Sequence, residues 1–371
     1  VGQAGRYSRE DGEVERSPGE ASERPRMVDV ARVAGVSQKS VSNVVNGYEH
    51  VSPELRARVE RAIELLRFRP NNAARTLRTG RTGVIAVAVP SLSAPYFAEL
   101  ASDLTDVASA QGAAVLFDET HGNPAREAEA ARGVREGAID GLVLSPLALS
   151  VSQLADSAAH LPTVLLGESE LPDGVDRVVI DNVAAAREAT EHLIGLGRRR
   201  IAAVGAPTGA DRSTGSLRLR GYREALAAAG LGGDDLVVPT AGFNRRRGVG
   251  AADRLCALPE LPDAVFCFND ALAVGLLAGL RSRGIRVPDD VAVAGFDDVE
   301  EAVYCHPALT SVWVDRRRIA ESAVAMLLRR IGGGADSAAE HVEVGHELVV
   351  RESSTPQARV PESAGSADRL G

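Results

Sequence analysis

The chain is 371 residues long, 44% hydrophobic and 25% charged, with a net charge of −9 at pH 7. That length exceeds one typical domain and can bury a large core. Its apolar runs fall short of the roughly 20 residues that span a bilayer, no signal-peptide core is recognisable, and Cys256, Cys267 and Cys305 are dispersed without metal-ligand spacing, so membrane, exported and disulfide-stapled classes are set aside in favour of a reducing cytoplasm.

Residues 1–25 are rich in Gly, Ser, Glu and Arg and read as disordered. From Arg26 the pattern turns helical. A first helix, about Val28 to Ala34, is expected to bury Val30, Val33 and Ala34. Gly35 stands where a helix-turn-helix needs a residue tolerant of positive φ, Val36 plugs the turn, and the Ser37 hydroxyl can cap the next helix. That second helix keeps Val41, Val44 and Val45 inward at helical spacing and leaves Gln38, Lys39, Ser40 and Asn43 outward. These side chains are uncharged or basic and can hydrogen-bond, as reading base edges in a major groove requires. Taken alone, the same pattern also suits two amphipathic helices of an unrelated core.

A third helix follows, with Ser52 as N-cap, Pro53 at its first position and Glu54 in its first turn. Leu55, Val59, Ile63 and Leu66 form its buried stripe, and Arg56, Arg58, Arg61, Arg67 and Arg69 surround it. A short helical stretch from Pro70 to Arg78 ends at Thr79-Gly80. The runs Asp29-Val30-Ala31, Ala34-Gly35-Val36-Ser37 and Ser40-Val41-Ser42-Asn43-Val44-Val45-Asn46, then Val51-Ser52 through Phe68-Arg69-Pro70-Asn71, then Ala74-Arg75-Thr76-Leu77 together resemble the DNA-binding head and hinge of the lactose-repressor (LacI) family. One position departs from that pattern. The family usually caps the first helix with Thr or Ser, and Arg26 stands there; a missing cap costs about 1 kcal/mol, so this end is expected to fray unless another group satisfies it.

Charge agrees with a nucleic-acid partner. Residues 26–81 carry 11 Arg and Lys against 5 Asp and Glu, a net of +6, and residues 1–25 a net of −2, which leaves −13 for residues 82–371. A small basic head on a large acidic body leaves the head as the only surface that DNA should accept.

The body alternates strand and helix. Expected strands are Val84–Val89, Ala114–Phe117, Gly141–Leu144, Thr163–Leu166, Val178–Ile180, Ile201–Val204, Leu236–Val238, Ala264–Phe268 and Val291–Ala294. Between them lie helices near Ala94–Gln111, Pro124–Glu136, Ser152–Ala159, Val183–Leu196, Leu217–Ala229, Arg247–Ala257 and Ala271–Arg283. Continuous apolar strands between amphipathic helices imply parallel sheets covered on both faces. The break near Asp181 suggests two stacked Rossmann-like subdomains rather than one large sheet. His341 and His346 flank a further strand, and the tail from about residue 354 to Gly371 reads as disordered.

Pro95-Tyr96-Phe97, Val179-Ile180-Asp181-Asn182, Gly195 through Ile201, Leu217 through Tyr222, Phe268-Asn269-Asp270, Val293 through Asp298 and Leu309-Thr310-Ser311-Val312 extend the resemblance over residues 82–352, to the family's periplasmic-binding-protein-like core (type I). The fold expected is therefore α/β: an all-α helix-turn-helix head over 26–69, a hinge helix and linker over 70–81, and a core over 82–353. The resemblance implies three crossings between subdomains, near 180, 312 and 342. It divides the core into about 82–180 with 313–341, and about 181–312 with 342–353.

Parallel strands deliver loops at their carboxyl ends, and two such edges facing each other make a cleft that excludes water on closing. Arg218 can fork onto hydroxyls or a carboxylate, Asn269 and Asp297 can hydrogen-bond sugar hydroxyls, and Tyr96 and Phe97 offer an aromatic wall. Plainer roles stay open for three of these: Arg218 as a helix-surface arginine, Asp297 as a cap of the following segment, and the Tyr96–Phe97 pair as packing. Many sugar-binding relatives carry Asp after the fourth strand, whereas this chain has Gly167 and then Glu168, which leaves the ligand open.

The phosphate-loop, HExxH, GxGxxG and GxSxG patterns are all missing from the sequence, and the His are isolated, so no enzyme, cofactor or metal is expected. The resemblance implies instead a dimeric regulator, a repressor in the first instance. It would sit in the cytoplasm with the nucleoid, grip a palindromic double-stranded operator and answer to a small-molecule effector such as a sugar. Gln38 and Lys39 would read bases, with Ser40 and Asn43 assisting. Ser37, Ser42, Asn46, Tyr48 and His50 would touch phosphates or the groove edge. Leu77 would wedge into the minor groove unless it is an ordinary packing leucine. The absence of a leucine-heptad tail favours a dimer over a tetramer. A transport binding protein and an architectural DNA binder without effector are the competing readings; the first has no use for residues 26–80.

Overall fold

The computed structural model describes residues 25–45, 48, 50–68, 80–132, 138–167, 172–207, 213–233, 235–333 and 338–355. The expectations for the N-terminal extension, for the hinge including Leu77, for Asn46, for Glu168 and for most of the tail lie outside them. Two compact units divide at Gly80 and Arg81.

The first unit holds three helices, α1 (Met27–Ala34), α2 (Gln38–Val45) and α3 (Pro53–Leu66). Their core is Val30, Ala31, Ala34, Val41, Val44, Val59, Ala62 and Phe68. Val33, expected inside, is 46% exposed. Val30, Ala31 and Ala34 make a stripe at positions i, i+1 and i+4, and Val33 falls about a sixth of a turn beyond its edge. Leu55, Ile63 and Leu66 are only partly buried against this core, as a unit of this size cannot enclose every long side chain. The capping loss at Arg26 is made good from the third helical position: Asp29 accepts the Arg26 N–H at 2.9 Å. The Arg26 side chain makes no cap bond, since a guanidinium has no acceptor. Gly35 takes φ 62° and ends α1. There Arg58, reaching over from α3, donates to the carbonyls of Ala34 and Gly35 at 2.8 and 2.9 Å, a cation on the negative end of a helix.

The second unit contains two six-stranded sheets. In sheet 1, β1 (Val84–Val89), β2 (Ala114–Glu119), β3 (Gly141–Leu144), β4 (Thr163–Leu166), β5 (Asp176–Ile180) and β11 (His341–Val344) run in the order β11-β5-β4-β3-β1-β2. In sheet 2, β6 (Ile201–Ala206), β7 (Leu236–Pro239), β8 (Ala264–Cys267), β9 (Ala292–Asp297), β10 (Thr310–Val314) and β12 (His346–Val349) run in the order β12-β10-β9-β8-β6-β7. Described pairings are parallel except that of β12 with β10. Along β1, Ile85, Val87 and Val89 enter one core cluster while Ala86 and Ala88 enter another, which is why the strand is apolar at every position.

The helices are α4 (Pro95–Ala110), α5 (Pro124–Ala131), α6 (Val151–His160), α7 (Asn182–Gly195), α8 (Thr214–Ala228), α9 (Arg245–Cys256), α10 (Asp270–Arg281), α11 (Glu301–Tyr304) and α12 (Arg316–Ile331). α7 and α8 touch backbone to backbone at Gly221, where a Cβ would strike the Val183 carbonyl. α11 and α12 lie beyond the elements assigned from sequence. α12 packs on α4 and sheet 1.

The chain crosses between sheets after Ile180, after Val314 and at Gly345. Trp313 and Val314 are laddered into sheet 2, and Val342 to Val344 into sheet 1. The single strand expected between His341 and His346 is thus two short strands of different sheets. Ser354, placed by sequence in the tail, is buried and bonded to Thr310 and His192 at 2.7 and 2.9 Å, because the segment after β12 folds back over the start of β10.

Candidate nucleic-acid interface and effector cleft

In the first unit, α2 presents its polar face as expected. Gln38 and Lys39 are exposed, while Ser40, Ser42 and Asn43 are half-buried. Ser37 accepts the Ser40 N–H at 3.1 Å, and its hydroxyl lies 2.9 Å from that of Ser40. The two serines therefore spend hydrogen-bonding capacity on the helix start and on each other. Gln38 and Lys39 are left projecting freely at the first turn. Tyr48 and His50 are exposed and meet edge to face at 6.2 Å. Arg56 donates to the Tyr48 carbonyl at 3.2 Å, which ties the loop after α2 to α3.

In the second unit the predicted cleft residues converge. Arg218, on α8, is 5% exposed. Its Nε donates to Asn182 at 2.7 Å, one terminal nitrogen donates to the Phe268 carbonyl, and the other lies 3.6 Å from the Asp297 carboxylate. The guanidinium also stacks 3.4 Å over the Phe296 ring, a cation–π contact in a dry site. Asp297 ends β9, which runs three residues beyond the strand expected from sequence. Its φ is 105°, and Asp298 follows at 47°. Positive φ at a non-glycine residue is uncommon, and such strain gathers at functional sites. Burial pushes the Asp297 carboxyl up to about 6, against the opposing pull of Arg218 and Arg316. Asn269 uses its side-chain oxygen to cap α10 through the Leu272 N–H at 2.9 Å, while the next helix, α11, has Glu300 at its N-cap with no side-chain cap bond, so the cap role left open for Asp297 is not seen there. Asp270 beside it is fully buried and accepts from Ser311 at 2.6 Å and from the Val299 N–H at 3.0 Å. Burial, then the nearby Asp297, hold its carboxyl well above the usual range.

Tyr96 and Phe97 sit in the first turn of α4, edge to face at 5.2 Å and partly buried against the core. Packing is thus part of their role. One turn on, Glu99 joins this wall to Asp297. Glu99 receives Arg316 at 2.6 Å and the Glu300 N–H at 2.9 Å, and Arg316 donates to the Asp297 carbonyl at 3.0 Å. Sequence reasoning missed Glu99, Arg316, Asn182 and Phe296 as site residues. Asn182 and Phe296 stood inside motifs already quoted. Arg316 opens an Arg-Arg-Arg run that reads as a solvated helix start, and nothing local marks Glu99. Among the described residues no cluster of His, Cys, Asp and Glu could hold a metal, and no helix is long and apolar enough to cross a membrane.

Comparison with known proteins adds to this geometry. The model for bacterial regulatory proteins of the lacI family matches residues 26–71, and that for a periplasmic binding protein-like domain matches residues 190–354. The HTH-type transcriptional repressor PurR of Vibrio atlanticus is 31% identical over 305 residues, covering 82% of this chain and 91% of the relative. A solved complex of the transcriptional regulator CelR with cellobiose is 33% identical and covers 89% of this chain and 100% of its own, with a TM-score of 0.66. The lac repressor dimer bound to operator and the anti-inducer ONPF is 25% identical and covers 90% and 99%, with a TM-score of 0.76. Such relatives are regulators of transcription, not enzymes.

Proposed function

The chain belongs to the LacI family of DNA-binding transcription regulators, and from that premise we propose that it is a repressor. It grips a palindromic operator as a homodimer and is governed by a neutral polyhydroxylated effector, a sugar, held between sheets 1 and 2. The observation that carries the effector assignment is the ionic state of the cleft. Arg218 faces Asp297 and Arg316 faces Glu99. The described cations there are matched, and a phosphate or carboxylate would have to compete with a buried partner. Hydroxyl groups need no such exchange; they can bridge a guanidinium and a carboxylate together. The CelR–cellobiose complex supports the same class.

At the DNA end, Gln38 and Lys39 read base edges, with Ser40 and Asn43 assisting, and Ser37, Ser42, Asn46, Tyr48 and His50 fix register on the backbone. Leu77 enters the minor groove. The lac repressor dimer on operator supports the two-fold arrangement, since a symmetric dimer calls for a pseudo-palindromic site. The setting is the cytoplasm, at the nucleoid.

Selection of duplexes from a random pool by the purified chain tests the first half: palindromic sites should be enriched, and no enrichment over bulk competitor overturns it. A thermal-shift series of neutral mono- and disaccharides against sugar phosphates and nucleobases tests the second. A neutral sugar at 100 times its Kd should stabilise the body by about 2.7 kcal/mol. Stabilisation by anionic compounds alone overturns the effector class.

A further inference from the structure

α12 is anchored at both ends by contacts of different kinds. At its first residue, Arg316 joins Glu99 of α4 at 2.6 Å and donates to the Asp297 carbonyl of sheet 2 at 3.0 Å. Glu99 also takes the Glu300 N–H from the sheet-2 side at 2.9 Å. These contacts therefore exist only for one relative placement of the two sheets' edges. The arrangement is also incompletely satisfied, because the Arg316 Nε is buried with no hydrogen-bond partner. A placement that gives it one is a ready alternative.

At the other end, the Ile331 carbonyl receives Arg81 at 2.5 Å. Arg81 is the first residue of the second unit. The next two residues are clamped to the start of sheet 1, where Asp140 accepts the N–H groups of Thr82 and Gly83, each at 2.7 Å. Gly141, immediately after Asp140, lies so close under the Leu327 and Ile331 side chains that a Cβ would force them to shift. The last turn of α12, the Asp140–Gly141 corner and residues 81–83 thus form one packed block. Nearby, Arg330 and Arg329 hold the buried Asp176 at 2.8 and 3.0 Å. The 16-residue helix spans roughly 24 Å between the two anchor points. Packed helices move as rigid bodies between discrete placements rather than bending continuously.

We propose that α12 is the strut that carries cleft geometry to the point where the chain enters the body, with Arg316 and Glu99 as the positioning residues that read the cleft and Arg81 as the residue that receives the movement. This rests on the proposed effector site for its purpose, but the mechanical link is a property of the body alone and needs no ligand to be tested. Linkage makes it reciprocal: loosening either end must loosen the other.

Amide hydrogen exchange on the free, full-length protein tests it. Glu99→Gln and Arg316→Gln should each speed exchange of the Thr82 and Gly83 amides at least fivefold, although neither residue touches them. Arg81→Gln should speed exchange of the Glu300 amide by a comparable factor. Arg317→Gln breaks only the exposed pair with Glu321 on the same helix and should change neither end. Faster exchange confined to the mutated end, in Glu99→Gln and Arg81→Gln alike, overturns the proposal. Should Arg316→Gln fail to fold, Glu99→Gln tests the same contact with one atom exchanged. Failure of the sugar series alongside reciprocal exchange changes would fault the effector class and leave the strut standing.

Discussion

The head and the cleft use side chains in opposite ways. In the head, Gln38 and Lys39 project from a helix whose hydrophobic face does all the folding, through Val41 and Val44. They contribute little to stability and are free to be exchanged for other readers. In the body, Arg218, Asn182, Asp297 and the Phe268 carbonyl are buried in one network, so the groups suited to holding a ligand also hold the cleft together. On the proposed reading, specificity for DNA is separable from the fold and ligand recognition is not.

The hardest blow to this contrast comes from Arg218→Ala. It leaves the Asp297 carboxylate buried and unpaired, and should cost about 3–5 kcal/mol of body stability, read as a lower urea midpoint. A loss below 1 kcal/mol would show that Arg218 is dispensable to the fold and that cleft and head are alike. Next in size is the pH dependence at Asp297. Its folded pKa of about 6 lies above the ordinary value of 3.8, so the folded state binds the proton more readily. Its contribution to stability is full below about 3.8 and is lost as pH rises through about 6. Asp297→Asn should therefore flatten the stability profile between pH 4 and 6. If the proposed sugar contact uses the carboxylate, sugar affinity should fall for the natural chain as pH drops through the same window, with Arg218, Arg316 and Glu99 as the charged neighbours and Asp270 as the titratable one. A profile unchanged by Asp297→Asn would remove the assignment.

Smaller effects are expected in the head. Lys39→Ala should relax preference at one operator position by about 1–3 kcal/mol while leaving thermal stability within about 0.5 kcal/mol. Unchanged preference would confine Lys39 to phosphate contact. Replacing Asp29 by Ala should lower the melting of the first unit slightly, as the smallest of these effects, because Asp29 accepts the Arg26 N–H at the start of α1. No change there would mean that the start of α1 is held by something else.

Much of this architecture was legible because it rests on periodicity. Strands β1 to β9 announced themselves as apolar runs such as Val84–Val89 and Ala264–Cys267, and Ser52-Pro53 marked the start of α3. Of the site, Arg218 and Asp297 were visible inside motifs, and the structure joins them. Arg316 and Glu99 were not, since they lie 217 positions apart and meet only because α12 returns to pack beside α4.

Local chemistry along the chain was enough to specify the helix-turn-helix, its exposed reading face, the parallel strands and the split of basic head from acidic body. Those properties depend on residues a few positions apart, whose spacing and capping are written in order. Only the folded chain decided that Asp297 would take a strained, buried place beside Arg218, that Val33 would face water, and that Ser354 would be buried against Thr310 and His192. Those outcomes depend on which distant surfaces come into contact, and burial, pairing and pKa are properties of such contacts rather than of any single stretch.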